Sequence, residues 1–424
     1  MVRTLILAYI VFAPFTTWLA LSGWLRLPVV CILLALLLAF PFLLARLSGP
    51  RAVLRFEQED LFFLLVLLAT AVSIAANDIT GKTPGHTLAY LFSFLVYYLG
   101  LRVLLALYDI RFSTVSQMAA RSTLLCCGLI TIEWGLANFF SIYIRKWLVF
   151  DETTSNMLYY NQFFFKSVGG VAEEPSLMAF NLNMFMALGM YHAQRQGRPF
   201  RNFYLIAYLL AMFFLASSGG IGFIVLAFLA VFVNRAQGYV NLAKVFVIAV
   251  LPLFVFYQLN SIFVEQRITA FIETIYNKFT FQHNSANMRV WAWENAISDW
   301  LDSPIFGQGP GYGNLEHYDG FGYQSFYFKL LAENGLAALL AMLAFFGVLV
   351  LKARFMEPKT RPYLMLALLA GFFHLSIQDA FYHPALWVCI VATQQAWREQ
   401  RAARHQSEWE SPLIPEKRID AAHP

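Results

Sequence analysis

Residues 203–233 read FYLIAYLLAMFFLASSGGIGFIVLAFLAVFV. How often this stretch crosses a membrane decides the topology of everything after it. A bilayer core takes about 20 apolar residues per helical crossing. Read as one helix, the stretch leaves the long polar segment from Asn260 to Gln324 in the cytoplasm. Read as two short crossings that turn at Ser217-Ser218-Gly219-Gly220, it puts that segment outside. The basic residues decide between them, because loops on the cytoplasmic side collect Lys and Arg. With two crossings and both termini inside, 21 of the 30 lysines and arginines fall on the cytoplasmic side. The outer side keeps Arg26, Lys82, Arg145, Lys146, Lys166, Arg267, Lys278, Arg289 and Lys329. One merged helix would also carry Lys352, Arg354, Lys359 and Arg361 outside, against that bias.

Working outward, the chain is apolar nearly throughout. Hydrophobic residues make up 59% and charged residues 13%, against about 25% charged in soluble domains. The net charge of +5 is therefore a topology signal and does not indicate nucleic acid. Crossings are predicted near 5–21, 27–45, 61–76, 86–107, 119–140, 175–192, 203–216, 221–233, 242–259, 325–351, 363–378 and 383–396. The expected fold is an all-α polytopic membrane protein of about twelve transmembrane helices. Residues 1–259 hold the first nine helices, 260–324 a large periplasmic loop with short helices, 325–396 the last three, and 397–424 a solvated cytoplasmic tail. The N-terminal run lacks a small-residue cleavage site and reads as a retained helix. Cys31, Cys126, Cys127 and Cys389 all lie in apolar runs, which argues against a disulfide or zinc framework.

Few polar residues stand out. Within the loop, Asn287 to Leu301 has Val290, Trp293, Ile297 and Trp300 on one helical face. Trp291, Trp293 and Trp300 suit a membrane interface. Arg289 near the start of that helix is poorly placed for the helix dipole and well placed for an anion. Phe306 to Gly313 is glycine-rich but lacks nucleotide-loop spacing, so it reads as a close-packed turn able to approach a ligand. Glu174 opens the sixth helix beside Pro175, where a carboxylate serves as a cap or as a reactive group. Glu133 inside the fifth helix calls for a structural partner. Asp379 and His383 are candidates for a second outer polar cluster.

These pieces resemble the O-antigen ligase and polymerase superfamily, which holds Wzy-type polymerases and WaaL-like ligases. The order Glu265-Gln266-Arg267, Arg289 to Trp293, Asp302 to Gly309 and Phe326 to Gly335 is similar to the family's C-terminal half. Gly169 to Ser176, GGVAEEPS, looks like the start of the sixth helix in polysaccharide polymerases. The resemblance implies a GT-C-like glycosyltransferase of the bacterial inner membrane, active at the periplasmic face. It implies no nucleotide sugar, no metal and no cofactor. Its donor would be an undecaprenyl-pyrophosphate-linked oligosaccharide met in the membrane lipid, with a chain-length regulator and a flippase as partners. Arg289 and Glu174 are the expected catalytic residues. Arg267, Gln324, His317 and Arg145 are expected to bind substrate. Two departures separate the chain from the ligases. Their turn arginine is missing from Ser217-Ser218-Gly219-Gly220, and Gln324-Ser325 stands where they carry His-Asn. A polymerase is thus expected, with a ligase acting on lipid A-core as the alternative. A lipid or solute transporter is the alternative of another class.

Overall fold

The computed structural model describes all residues except 19, 21–24, 48–55, 78–82, 145–159, 163–164, 233–283, 317–321, 380 and 411–424. The predicted crossing at 242–259 and the first part of the polar loop lie outside the described residues.

The described chain is helical except for one ribbon. Helices α1 (Val2–Phe12), α2 (Leu27–Leu47) and α3 (Gln58–Ala76) come first. Next, α4 (Thr83–Phe92) passes through a wide-turned segment, Ser93–Gly100, into α5 (Leu101–Leu107). Helix α6 (Phe112–Phe139) precedes the antiparallel pair β1 (Tyr160–Gln162) and β2 (Phe165–Ser167). Then follow α7 (Pro175–Arg195), α8 (Arg198–Leu215), α9 (Ser218–Phe232), α10 (Asn284–Asp302) and α11 (Tyr312–Glu316). The last three are α12 (Phe326–Arg354), α13 (Arg361–His374) and α14 (Pro384–Glu410). Among the described residues, 5 helices are long and apolar enough to cross a membrane, and Val2–Phe12 and Ser218–Val231 are shorter apolar helices. These spans fit a polytopic membrane protein.

Two element boundaries differ from the expected ones. Helix α1 stops at Phe12 rather than near residue 21, because Pro14 has no amide to continue the ladder. The chain turns there, and Thr16 and Thr17 donate their amides to the Val171 carbonyl at 3.0 and 3.1 Å. At the other terminus α14 runs past Trp397 to Glu410, so the start of the tail is helical, with Arg401 to Arg404 exposed.

Helix α7 is the buried axis. Every side chain from Leu177 to Gly189 is shielded, and α6, α8, α9, α13 and α14 pack around it. Gly189 marks the tightest crossing: a Cβ there would sit 2.7 Å from the Ala120 backbone of α6. Small residues at such crossings let helices approach closely where lipid supplies no hydrophobic drive.

Helices α3 and α12 run antiparallel and are tied at both ends. At one end the Ser73 hydroxyl donates to the Glu333 carbonyl at 2.7 Å. At the other, Lys352 pairs with Glu57 and with Glu59, the latter at 2.6 Å, and Arg398 pairs with Glu57 at 2.9 Å. Arg102 joins the same end by pairing with Asp60, which also accepts from the Tyr98 hydroxyl at 2.5 Å. Gln394 donates to Glu59 and to the Tyr98 oxygen, both at 2.6 Å. Arg102 and Asp60 are only 1% and 2% exposed, so removing one charge strands the other. Arg102→Met is expected to lower stability by about 3–5 kcal/mol, read as a lower midpoint in thermal unfolding of the detergent-purified protein.

Helix α12 is broken at Gly335, where φ is 79° and ψ 177°. The glycine-rich run repairs the break. Leu336 donates its amide to Pro304, Gln308 donates to Ala332, and Gly309 donates to Glu333, at 3.2, 2.8 and 2.8 Å. Asn77 at the end of α3 also donates to the Gly307 carbonyl at 2.9 Å. A broken backbone is tolerated at membrane depth only when protein supplies the lost hydrogen bonds, and residues 304–309 do so here.

Candidate functional site

Three segments meet at the end of the bundle marked by Ser73 and Glu333, and α10 brings Arg289 to them. The first segment is the start of α7. Its approach is fixed from below by Glu133, buried in α6, whose carboxylate accepts the Gly170 amide at 2.8 Å. Gly170 has φ of 59°, and a Cβ there would lie 2.7 Å from Ile130, so only glycine makes this turn without strain. Glu133 is thus a structural partner. Glu174 follows at the N-cap of α7 in an extended conformation, yet its side chain makes no capping hydrogen bond. The carboxylate turns outward instead and accepts from the Gln378 amide.

The second segment is the end of α13 with the turn after it. Phe326 donates its amide to both Leu375 and Gln378, each at 3.0 Å, which pins this turn to the start of α12. Lys329, buried in α12, pairs with Asp379 at 3.0 Å. His374 is fully buried. Its Nε2 lies 3.2 Å from the Ser176 hydroxyl of α7, and Phe180 and Phe223 pack against its ring.

The third segment is the turn between α8 and α9. It reverses at Ala216, whose φ of 50° lies in the left-handed region. Gly219 and Gly220 sit against Ile377 and Ala179, where added Cβ atoms would come to 2.7 and 2.3 Å. Asn183 of α7 donates to the Gly220 carbonyl at 2.8 Å. The glycines in this turn therefore serve close packing against α7 and the end of α13.

Arg289 lies within electrostatic range of both Glu174 and His374. Its Nε is buried and has no hydrogen-bond partner. Burial draws the guanidinium below its ordinary pKa, and the Glu174 carboxylate pulls the other way. Arginine stays charged through shifts of this kind. A half-buried cation with a vacant donor suits an anionic ligand.

Helix α10 is seated on α12 by small residues together with Trp293 of the face read from the sequence. Ala292, Ala296 and Asp299 are its buried positions, while Ile297 and Trp291 are exposed. Small side chains let α10 approach α12 closely. Trp293 stacks on Phe328 at 5.5 Å, and Asp299 accepts from the Tyr323 hydroxyl at 2.7 Å. Trp300 donates its indole N–H to Pro304 at 3.1 Å. Trp291 alone of the three loop tryptophans is on the exposed side.

Of the expected substrate-binding residues, Gln324 is described. It is half-buried with φ of 53°, directly before the Ser325 N-cap of α12. Arg267, His317 and Arg145 lie outside the described residues. Asp379 and His383 flank Tyr382, which lies within electrostatic range of Asp379, Lys329, Glu173 and Arg26. Asp379 pairs with Lys329, whereas His383 lies 3.2 Å from Arg26, which pairs with Glu173 at 2.6 Å. Sequence reasoning missed His374 and Gln378. Their spacing of i and i+4, ending at an already suspicious Asp379, was the available signal.

Comparison with known families bears on this arrangement. A family model described as O-antigen ligase matches residues 203–343. The matched segment runs from within α8 into α12 and contains Arg289, the Ser217–Gly220 turn and Gly335. Glu174, Ser176, His374 and Gln378 lie outside the matched segment. No curated protein matches the chain. Over that segment the chain is similar to O-antigen ligases, and its apolar helices fit a membrane protein.

Proposed function

We propose that this protein is an inner-membrane polysaccharide polymerase. It transfers glycan from an undecaprenyl-pyrophosphate donor to a lipid-linked acceptor glycan at the periplasmic face. The observation that supports this reading is the buried, unpartnered Nε of Arg289 among the described residues, within electrostatic range of Glu174. Both termini are then cytoplasmic. Helices α8 and α9 are two short crossings among about twelve, and α10 belongs to the outer loop in a GT-C-like layout.

The reaction asks little of the protein. The bond between the donor sugar's anomeric carbon and the pyrophosphate oxygen breaks, and its electrons leave with the polyprenyl pyrophosphate. The acceptor hydroxyl oxygen bonds to that carbon and loses its proton. Arg289 stabilises the negative charge gathering on the leaving group. Glu174, held by Gln378 and not spent on capping, orients the acceptor hydroxyl or takes its proton. A ligase would differ only in its acceptor. The missing turn arginine and the Gln324-Ser325 pair favour the polymerase.

Glu174→Gln keeps the shape and removes the charge. It is expected to slow polymer formation by roughly 10²–10⁴-fold, while the purified protein still binds a polyprenyl pyrophosphate. Polymer at the normal rate would reduce Glu174 to a residue of the helix terminus.

A further inference from the structure

The start of α7 has more polar capacity than Glu174 uses. Pro175 has no amide, and the Ser176 and Leu177 amides lie in the first turn, beyond any carbonyl of their own helix. The side chain at the N-cap does not cover them. Directly beneath sits His374, 0% exposed, with Nε2 3.2 Å from Ser176 Oγ and with Nδ1 lacking a partner.

That vacancy identifies the tautomer. A buried N–H without an acceptor is costlier and rarer than a buried acceptor without a donor. The ring proton therefore resides on Nε2 and is donated to Ser176 Oγ, leaving Nδ1 as the bare acceptor. A doubly protonated ring would leave an N–H stranded at Nδ1 and is disfavoured for the same reason. A serine hydroxyl has one hydrogen and two lone pairs. With one lone pair engaged by His374, its own hydrogen remains free. Ser176 is half-buried, which leaves that hydrogen for a ligand, and Arg289 lies within electrostatic range of the His374 that holds it.

We propose that Ser176, oriented by His374, is a second phosphate-binding group of this site, donating its hydroxyl hydrogen to a diphosphate oxygen opposite Arg289. The inference rests on the reading of Arg289 given above. His374 is a positioning residue and touches no substrate. Its role is to keep the hydroxyl hydrogen pointing outward, so its value depends on Ser176 being present. The free amides at the start of α7 add to the same cradle, since helix N-termini favour phosphate.

The test is isothermal titration of the full-length protein in neutral detergent with inorganic pyrophosphate and with farnesyl pyrophosphate. Ser176→Ala is expected to weaken both ligands about tenfold to a hundredfold, the range of a hydrogen bond to a charged group. Ser176→Thr retains affinity. His374→Phe matches Ser176→Ala, and the double variant is no weaker than either single one. A purely structural histidine would instead lower the melting midpoint and add its loss to that of Ser176→Ala. If His374→Phe does not fold, Ser176→Ala and Ser176→Thr decide the matter alone. Full affinity in Ser176→Ala, with affinity lost in Arg289→Ala, overturns this inference and leaves the reading of Arg289 intact. Full affinity in both, or no binding by the unaltered protein, overturns that reading as well. Phosphatidylglycerol doped into the micelles separates the two sources of phosphate. An unchanged titration supports a diphosphate site, and displacement at equal concentration assigns the site to a lipid headgroup instead.

Discussion

Replacing Arg289 with alanine is expected to stop polymer synthesis while the amount of membrane-inserted protein stays unchanged. Among the described residues its Nε has no hydrogen-bond partner, so no fold contact of that nitrogen is lost when the side chain goes. The reaction loses a fixed positive charge where the leaving group becomes anionic. Deleting one such donor costs on the order of 10²–10³-fold in rate. A charged guanidinium contacting two phosphate oxygens also contributes to binding, so the loss should reach the limit of detection. Arg289→Lys restores only part of the activity, because an ammonium cannot make the forked contact. Polymer length and yield on gels check both variants, with immunoblots of membranes as the control. Normal polymer from Arg289→Ala would remove Arg289 from the chemistry.

The second large effect concerns the fold. Gly335→Ala is expected to leave too little folded protein to assay. Its φ of 79° and ψ of 177° belong to a region that essentially only glycine enters, at a cost of about 1–3 kcal/mol for other residues. The added methyl would also meet the Ile305 carbonyl oxygen at 2.1 Å. Both partners are backbone, so no rotamer change relieves the clash. Fluorescence-detected size exclusion of a tagged protein reads the result. A monodisperse peak at the level of the unaltered protein would mean that the break in α12 is dispensable.

These two residues also show what the sequence made legible. Arg289 stood out because a cation at a helix start contradicts the helix dipole, and that contradiction is visible in a string of letters. Gly335 entered only as the last residue of a family-like run, with no sign of its backbone. It lies in an apolar run that reads as one continuous crossing, and its left-handed backbone depends on residues 304–309, which are remote from any local pattern. The glycine run at 306–313 was read as a turn able to approach a ligand. Its partner is the backbone of α12, where a Cβ on Gly307 would sit 2.4 Å from Glu333.

Hydropathy located most helices because lipid demands it, but their ends follow particular contacts. Pro14 ended α1 early, and α14 ran on into the tail. Periodicity marks the large apolar residues of α10, whereas its most buried positions are the small Ala292 and Ala296. His374 and Gln378 were missed for a related reason. A histidine in an apolar helix looks like core until the neighbour across from it, Ser176, is known. Glu174 was legible as a residue with two possible uses. In the structure it makes no side-chain cap and accepts from Gln378 instead.

The most direct test of the central claim is a reconstituted reaction. Purified protein in liposomes is given a polyprenyl-pyrophosphate oligosaccharide labelled in both the lipid and the sugar, without nucleotide sugar. The expected result is release of free polyprenyl pyrophosphate in step with the appearance of longer lipid-linked glycans, with both signals lost in Arg289→Ala. Lipid-linked oligosaccharide that changes leaflet but keeps its original length, with no pyrophosphate released, would contradict the account and identify a transporter instead.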